Sequence, residues 1–420
     1  AVHGCSPTLP MMEPTQRSAV RSGTSEDPTT RPAPHPTVVV PARLDPAGSW
    51  ALADGRWHWG RPEISHDPAV LDGTGRWIVC LPAQGPMLAA RFPHSAPVRV
   101  DPEPESQSDG DGLPPPVVPA EDEPPRSWVS SFSRQDYSHR VGDIRALIAA
   151  GDVYQVNLTR RLAGPIRRDH PGASALALTT AQATAHRAPF GASLCLPELG
   201  AWVVGASPER FLSRDGDLVT SEPIKGTAVT AEQLTAKDRA ENVMICDLVR
   251  NDLGRVCAMG SVEVPDLLRL ESHPGLVHLV TTVSGRLRSG VGWAALFDAV
   301  FPPGSVTGAP KLAALEVIDA LEPEGRGPYC GALGWVDADA QTADLAVSIR
   351  TFWAASADAD WPDAWRWTFG TGGAITWDSD AEDEWSETEL KAARLLTLAE
   401  DPLATRGDPL GLDVPAVRTW

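Results

Sequence analysis

The sequence predicts an α+β fold of layered antiparallel β-sheets flanked by helices, and three observations carry that prediction. Short β-type runs bounded by Gly and Pro recur along the 420 residues. Some follow as strand, turn, strand, as in AWVVGASPERFLSRDGDLVTSEPI from residue 201. Two long segments between them place apolar residues at helical spacing. With 42% hydrophobic residues, the chain has enough apolar material for one large or two ordinary domains.

In chain order, residues 1–36 are rich in Pro, Ser, Thr and Arg without hydrophobic periodicity, which predicts a disordered leader. VVVPARL, WALADGRWHWG and GRWIVCLPA then predict a short β-rich subdomain over 37–100. The Pro- and acid-rich stretch 101–127 reads as a linker. From 128 to 399 the text becomes dense and predicts the main domain. VGDIRALIAAGDVY has helical spacing, and QVNLTRRLAG reads as a strand. AENVMICDLVRNDLGRV puts Glu241, Met244, Ile245 and Leu248 on one helix face and breaks near Gly254. GAPKLAALEVIDALEPEG predicts a second helix with Pro310 in its first turn and a stop at Pro323. LVHLVTTVSGRL, GALGWVDA, ADLAVSIRTFWAA and WRWTFGTGGAITW read as strands, and 400–420 as a tail.

Composition narrows the function. A net charge of -19 and a pI near 4.9 oppose binding to nucleic-acid phosphates or anionic membranes. An anionic small substrate then requires a metal ion or a local cluster of cations. Six scattered cysteines without a CxxC pair, and no apolar run long enough to span a bilayer, lead us to expect a cytoplasmic protein with reduced thiols.

The chain holds 36 Lys plus Arg, of which only Lys225, Lys237, Lys311 and Lys391 are lysine. Arg keeps its proton, whereas a buried Lys can become a neutral amine and a nucleophile. Lys225 in EPIKGT is therefore a candidate, against the plain alternative of a surface lysine in a Gly turn. Asp238 and Glu241 in KDRAEN, and Glu384 and Glu387 in DEWSETELK, are each three apart. On helices such pairs share a face, which suits either solvation or a hard cation such as Mg2+. Thr307 and Gly308 precede the second helix, whose first-turn N–H groups would suit a carboxylate or serve only as a helix start. Arg350 in AVSIRT would bind an anion or form a structural ion pair.

Read together, GDVYQVNLTRR, SPERF, EPIKGT, AKDRAENVMICDLVRNDLGRV, HPGLVHLVTTVSGRL, FPPGSVTGAPKLAALEVIDALEP, YCGALGW, SIRT and GGAITWDSDAEDEWSETELKAA resemble the chorismate-utilising enzymes over roughly residues 130–397. The resemblance implies the chorismate-binding fold and a Mg2+ cofactor held by Glu241 and Glu387, with Asp238 and Glu384 beside them. It implies a substrate pocket lined by Gln155, Thr227, His278, Thr307, Tyr329, Arg350, Gly372 and Gly373, with Lys391 and Lys311 touching carboxylates or balancing the acids. Isochorismate and salicylate synthases carry Lys where this chain has Gln155. Lys in the PIKGT motif marks the aminodeoxychorismate synthases, whereas anthranilate and isochorismate enzymes usually carry Ala there. The implied reaction is amination of chorismate at C4 through a covalent Lys225 intermediate, with Glu209 as general acid and base and a glutaminase subunit supplying ammonia. The product would serve p-aminobenzoate and folate formation or a specialised pathway. The alternatives are an anthranilate synthase component, or a non-catalytic ligand-binding subunit. Two departures stand out: AVTAEQ replaces an Arg-Pro-Arg continuation after PIKGT, and FPPG replaces a Gly-containing pair.

Overall fold

The computed structural model describes residues 37–101, 128–166, 171–185, 188–228, 230–273, 276–355, 365–400 and 417–419. The expected leader, nearly all of the linker and most of the tail lie outside the described residues.

Alternation of side chains builds the layers. In Ala201–Ser207, Trp202 and Val204 join one buried cluster and Val203 joins another, because successive residues of a strand face opposite ways. This strand belongs to a first large antiparallel sheet, in which Gln155–Pro165 pairs with Arg366–Ile375, and Ala201–Ser207 lies between Thr351–Ala355 and Phe190–Leu196. A second sheet runs from Ile224–Ala228 through Leu276–Arg286, Leu218–Glu222, Arg210–Asp215 and Thr342–Val347 to Ala332–Asp337. Leu194 and Val203 of the first sheet share a core with Val79, Leu333 and Leu345 of the second. The layered α+β architecture is thus the one the sequence predicts.

Six α-helices lie among the described residues: α1 Arg134–Ala150, α2 Pro171–Ala185, α3 Ala236–Gly254, α4 Trp293–Val300, α5 Lys311–Leu321 and α6 Ala381–Glu400. Helices α1, α2, α5 and α6 pack on strands of the first sheet, and α3 on strands of the second.

The segment 37–100 is no separate body. Trp50–Ala53 pairs with Phe190–Leu196 in the first sheet, and Arg76–Leu81 pairs with Ala332–Asp337 in the second. The composition break at residue 100 therefore marks no break in hydrogen bonding.

Candidate active site

Lys225 sits on Ile224–Ala228, whose register sets Thr227 opposite His278. The next residue must be Gly: Gly226 has φ +84, and a Cβ there would lie 2.8 Å from Asp238 Cβ and 3.1 Å from Leu234 Cδ2. Its bare backbone lets the first turn of α3 close against the strand. Burial lowers the pKa of Lys225 and outweighs the opposing pull of Glu241, Glu209 and Glu387, while Lys391 adds to the depression.

Glu209 is 4% exposed. Its carboxyl is pushed up to about 7 by burial, against the opposing effects of the Ser305 hydroxyl, the Lys225 charge and the Ile224 N–H. Val347 N–H donates to its carbonyl at 3.0 Å, and its own N–H donates to Ser207 Oγ at 3.2 Å, so the backbone is pinned on both sides. Lys225 is thus shifted down and Glu209 up, and each charge is felt by the other.

Helices α3 and α6 bring the carboxylates together. Burial, and then the charges of Glu384 and Asp238, raise the pKa of Glu241 against Lys225 and Lys237. Glu384 is buried and likewise raised; it accepts from Ser379 Oγ at 2.6 Å. Gly373 makes room for it, since a Cβ there would stand 2.6 Å from Glu384 Oε2. For Glu387 burial works the other way, yet the ammonium of Lys391, 2.6 Å away, together with Lys225 and Lys237, holds it below the usual range. Lys391 also donates to the Gly372 carbonyl at 2.9 Å.

Oxygen-only donors on two facing helices fit a hard divalent cation. The ammonium of Lys237 already lies 3.8 Å from Glu241 Oε1 and 3.4 Å from Glu384 Oε1, a point where the protein favours positive charge. Among the described residues no three acidic, His or Cys side chains converge as a metal cage. Asp238 lies within electrostatic reach of Glu241 and is also engaged locally. Its carboxylate accepts from both the Thr235 N–H and hydroxyl at 2.7 Å, while its N–H donates to Thr235 Oγ1, so it closes a capping box on α3.

The remaining positions divide. Gln155 is fully buried on the first sheet with neither amide atom partnered, and the Ser348 hydroxyl is likewise buried and orphaned. Arg350 holds φ +52, outside ordinary backbone territory for a bulky residue; burial alone shifts its guanidinium, with no carboxylate contributing. Tyr329 is buried with its ring flat on Gly370, where a Cβ would meet the ring at 2.2 Å. His278 is buried on the strand facing Thr227, of which only the backbone is described.

Two expectations need correction. Thr307 does not open a helix. Gly308–Ala309 pairs with Gln155–Val156 before α5 starts at Lys311, and the Thr307 hydroxyl bonds the carbonyls of its own turn, Pro303 and Gly304, at 3.2 Å. Lys311 donates to Asp252 at 2.5 Å and to the carbonyls of Val300 and Pro302, tying the FPPG turn to α3 away from the acidic pairs. Sequence reasoning missed Lys237 and Ser305, since only the fold sets them beside the carboxylates and beside Glu209, and it missed the buried, unpartnered hydroxyl of Ser348.

Comparisons with known proteins bear on the family and the fold. A family profile described as chorismate binding enzyme matches residues 86–397. The aminodeoxychorismate synthase component 1 of Klebsiella aerogenes is 40% identical over 285 residues, which are 64% of this chain and 59% of that protein. An anthranilate synthase component 1 of Haloarcula marismortui is 37% identical over 294 residues, 67% of this chain and 57% of that one. The chain thus spans less than two thirds of the length of these relatives. The crystal structure of anthranilate synthase component I from Streptococcus pneumoniae superposes with a TM-score of 0.60 at 22% identity, covering 88% of this chain and 94% of that one, a likeness of fold. Because the matched profile covers well over half of the sequence and takes in both glutamate-bearing helices and the lysine strand, the chain belongs to the chorismate binding enzyme family.

Proposed function

We propose that the protein aminates chorismate at C4, giving 4-amino-4-deoxychorismate. The observation that carries this reading is the pairing of Lys225, whose burial favours the neutral amine, with Glu209, which titrates near 7. The neutral Lys225 amine bonds to ring C2, both ring double bonds shift (to C1–C6 and C4–C5), and the C4–O bond breaks. Glu209 gives its proton to the departing hydroxyl, which leaves as water. Ammonia then bonds to C4, the C2–N bond breaks to return Lys225 as an amine, and Glu209 regains its proton from the new ammonium. The sum is chorismate plus ammonia giving product plus water, with the enolpyruvyl ether intact. A Mg2+ ion at Glu241, Glu384 and Glu387, when bound, supplies positive charge for the ring carboxylate. Arg350, uncompensated by any carboxylate among the described residues, suits the second carboxylate.

On this reading a glutaminase supplies the ammonia, and we propose a partner subunit for that role. Incubation with chorismate, Mg2+ and ammonium salt, read by mass spectrometry, tests the proposal. An aminated product that retains the enolpyruvyl group, and that falls about a hundredfold or more in Lys225→Ala and Lys225→Arg, is the expected result. Anthranilate plus pyruvate would instead place the chain with the anthranilate synthases that it also matches.

A further inference from the structure

Lys237 is an odd residue to find where it stands. It is the second residue of α3, where the positive end of the helix dipole disfavours a cation. Its i,i+4 partner is Glu241, so the pair runs Lys to Glu, the weaker order for helix support. This chain also reserves lysine for four positions and writes Arg elsewhere. Local helix stability therefore does not explain it. Across the groove it does have a purpose. Its ammonium lies 3.4 Å from Glu384 Oε1, 3.8 Å from Glu241 Oε1 and 3.5 Å from Ser379 Oγ, bridging the two helices that carry the acids. The Lys237 side chain is 39% exposed, whereas that of Glu384 is 5% exposed.

We infer that Lys237 is a resident counter-ion occupying the seat of the divalent cation between Glu241 and Glu384, so that a dication enters only as the lysine swings out. This rests on the metal reading proposed above. Without a cation between them, two largely buried carboxylates on facing helices would repel; the lysine holds the groove together in the metal-free protein and competes with the ion that replaces it. Arg would serve worse, since its broad planar fork bonds carboxylates bidentately and would leave less readily.

The test is calorimetric titration of MgCl2 or MnCl2 into substrate-free full-length protein, comparing wild type, Lys237→Met and Glu384→Gln. Expected is a dication affinity about tenfold tighter in Lys237→Met than in wild type, and lost in Glu384→Gln, since the methionine removes the competitor and keeps the stem. With only four lysines in the chain, 15N-lysine labelling gives a second readout: the Lys237 side-chain resonance, assigned by its absence from the Lys237→Met spectrum, shifts toward that of a free lysine as Mg2+ is added. Equal or weaker binding in Lys237→Met, with wild type binding through Glu384, overturns the counter-ion role and leaves the metal site standing. No binding by either wild type or Lys237→Met overturns both.

Discussion

Glu209 lends itself to a measurement that needs no substrate. In the unfolded chain its carboxyl titrates near its ordinary 4.5, and in the fold near 7. Below pH 4.5 it is protonated in both states and costs nothing. Between these values the unfolded chain ionises first, so stability falls as pH rises, and above 7 the deficit levels off at about 3 kcal/mol. Glu209→Gln should therefore unfold in urea at pH 8 with a gain approaching that size, and with almost none at pH 4.5. A gain independent of pH would mean that the carboxyl is not displaced by burial. Lys225 stood out in EPIKGT as a deprotonatable amine where the chain otherwise writes Arg, whereas Glu209 in SPERF came only from the family resemblance, and it takes the fold to set the two within electrostatic reach. Asp238 was read only in part. A carboxylate three residues from Glu241 has the right spacing for a metal face and also for a capping box, and the position of Thr235 at the start of α3 adds the second role.

At the scale of elements, Gly226 and Gly216 separate strain from crowding. Both have positive φ, +84 and +61, but a Cβ at Gly216 meets nothing within 4 Å whereas one at Gly226 runs into α3. Gly216→Ala should cost about 1 kcal/mol, from backbone strain alone. Gly226→Ala should cost about 1 to 2 kcal/mol more, because α3 must back away from the lysine strand. Equal losses in parallel denaturant melts would show that the close approach contributes nothing. Helix α3 could be read from its apolar spacing, although its buried face is Asn242, Ile245, Cys246, Val249 and Leu253 rather than the one centred on Met244 and Leu248. The start of α5 could not. Gly308 and Ala309 are claimed by strand pairing with Gln155 and Val156, more than a hundred and fifty residues away, and no local pattern announces that.

At the scale of the whole molecule, the two sheets were legible in kind, through alternating runs and Gly or Pro turns, but not in membership. Local text at Trp50, Trp57 and Trp77 suggested a small separate unit. These three rings are instead among the deeply buried side chains of the sheets, and their strands precede the segment that the family profile matches. One consequence concerns what would happen if the polypeptide were supplied as two pieces, 37–101 and 128–420. The larger piece alone leaves Phe190–Leu196 and Ala332–Asp337 with bare strand edges, one in each sheet, and should aggregate. Co-expressed, the pieces should copurify on a tag carried by one and recover the thermal transition of the intact chain, while soluble, folded behaviour of the larger piece by itself would refute this. The same weave that hides the N-terminal strands in the core makes the protein a candidate for fragment complementation, with reassembly of the halves as its own reporter.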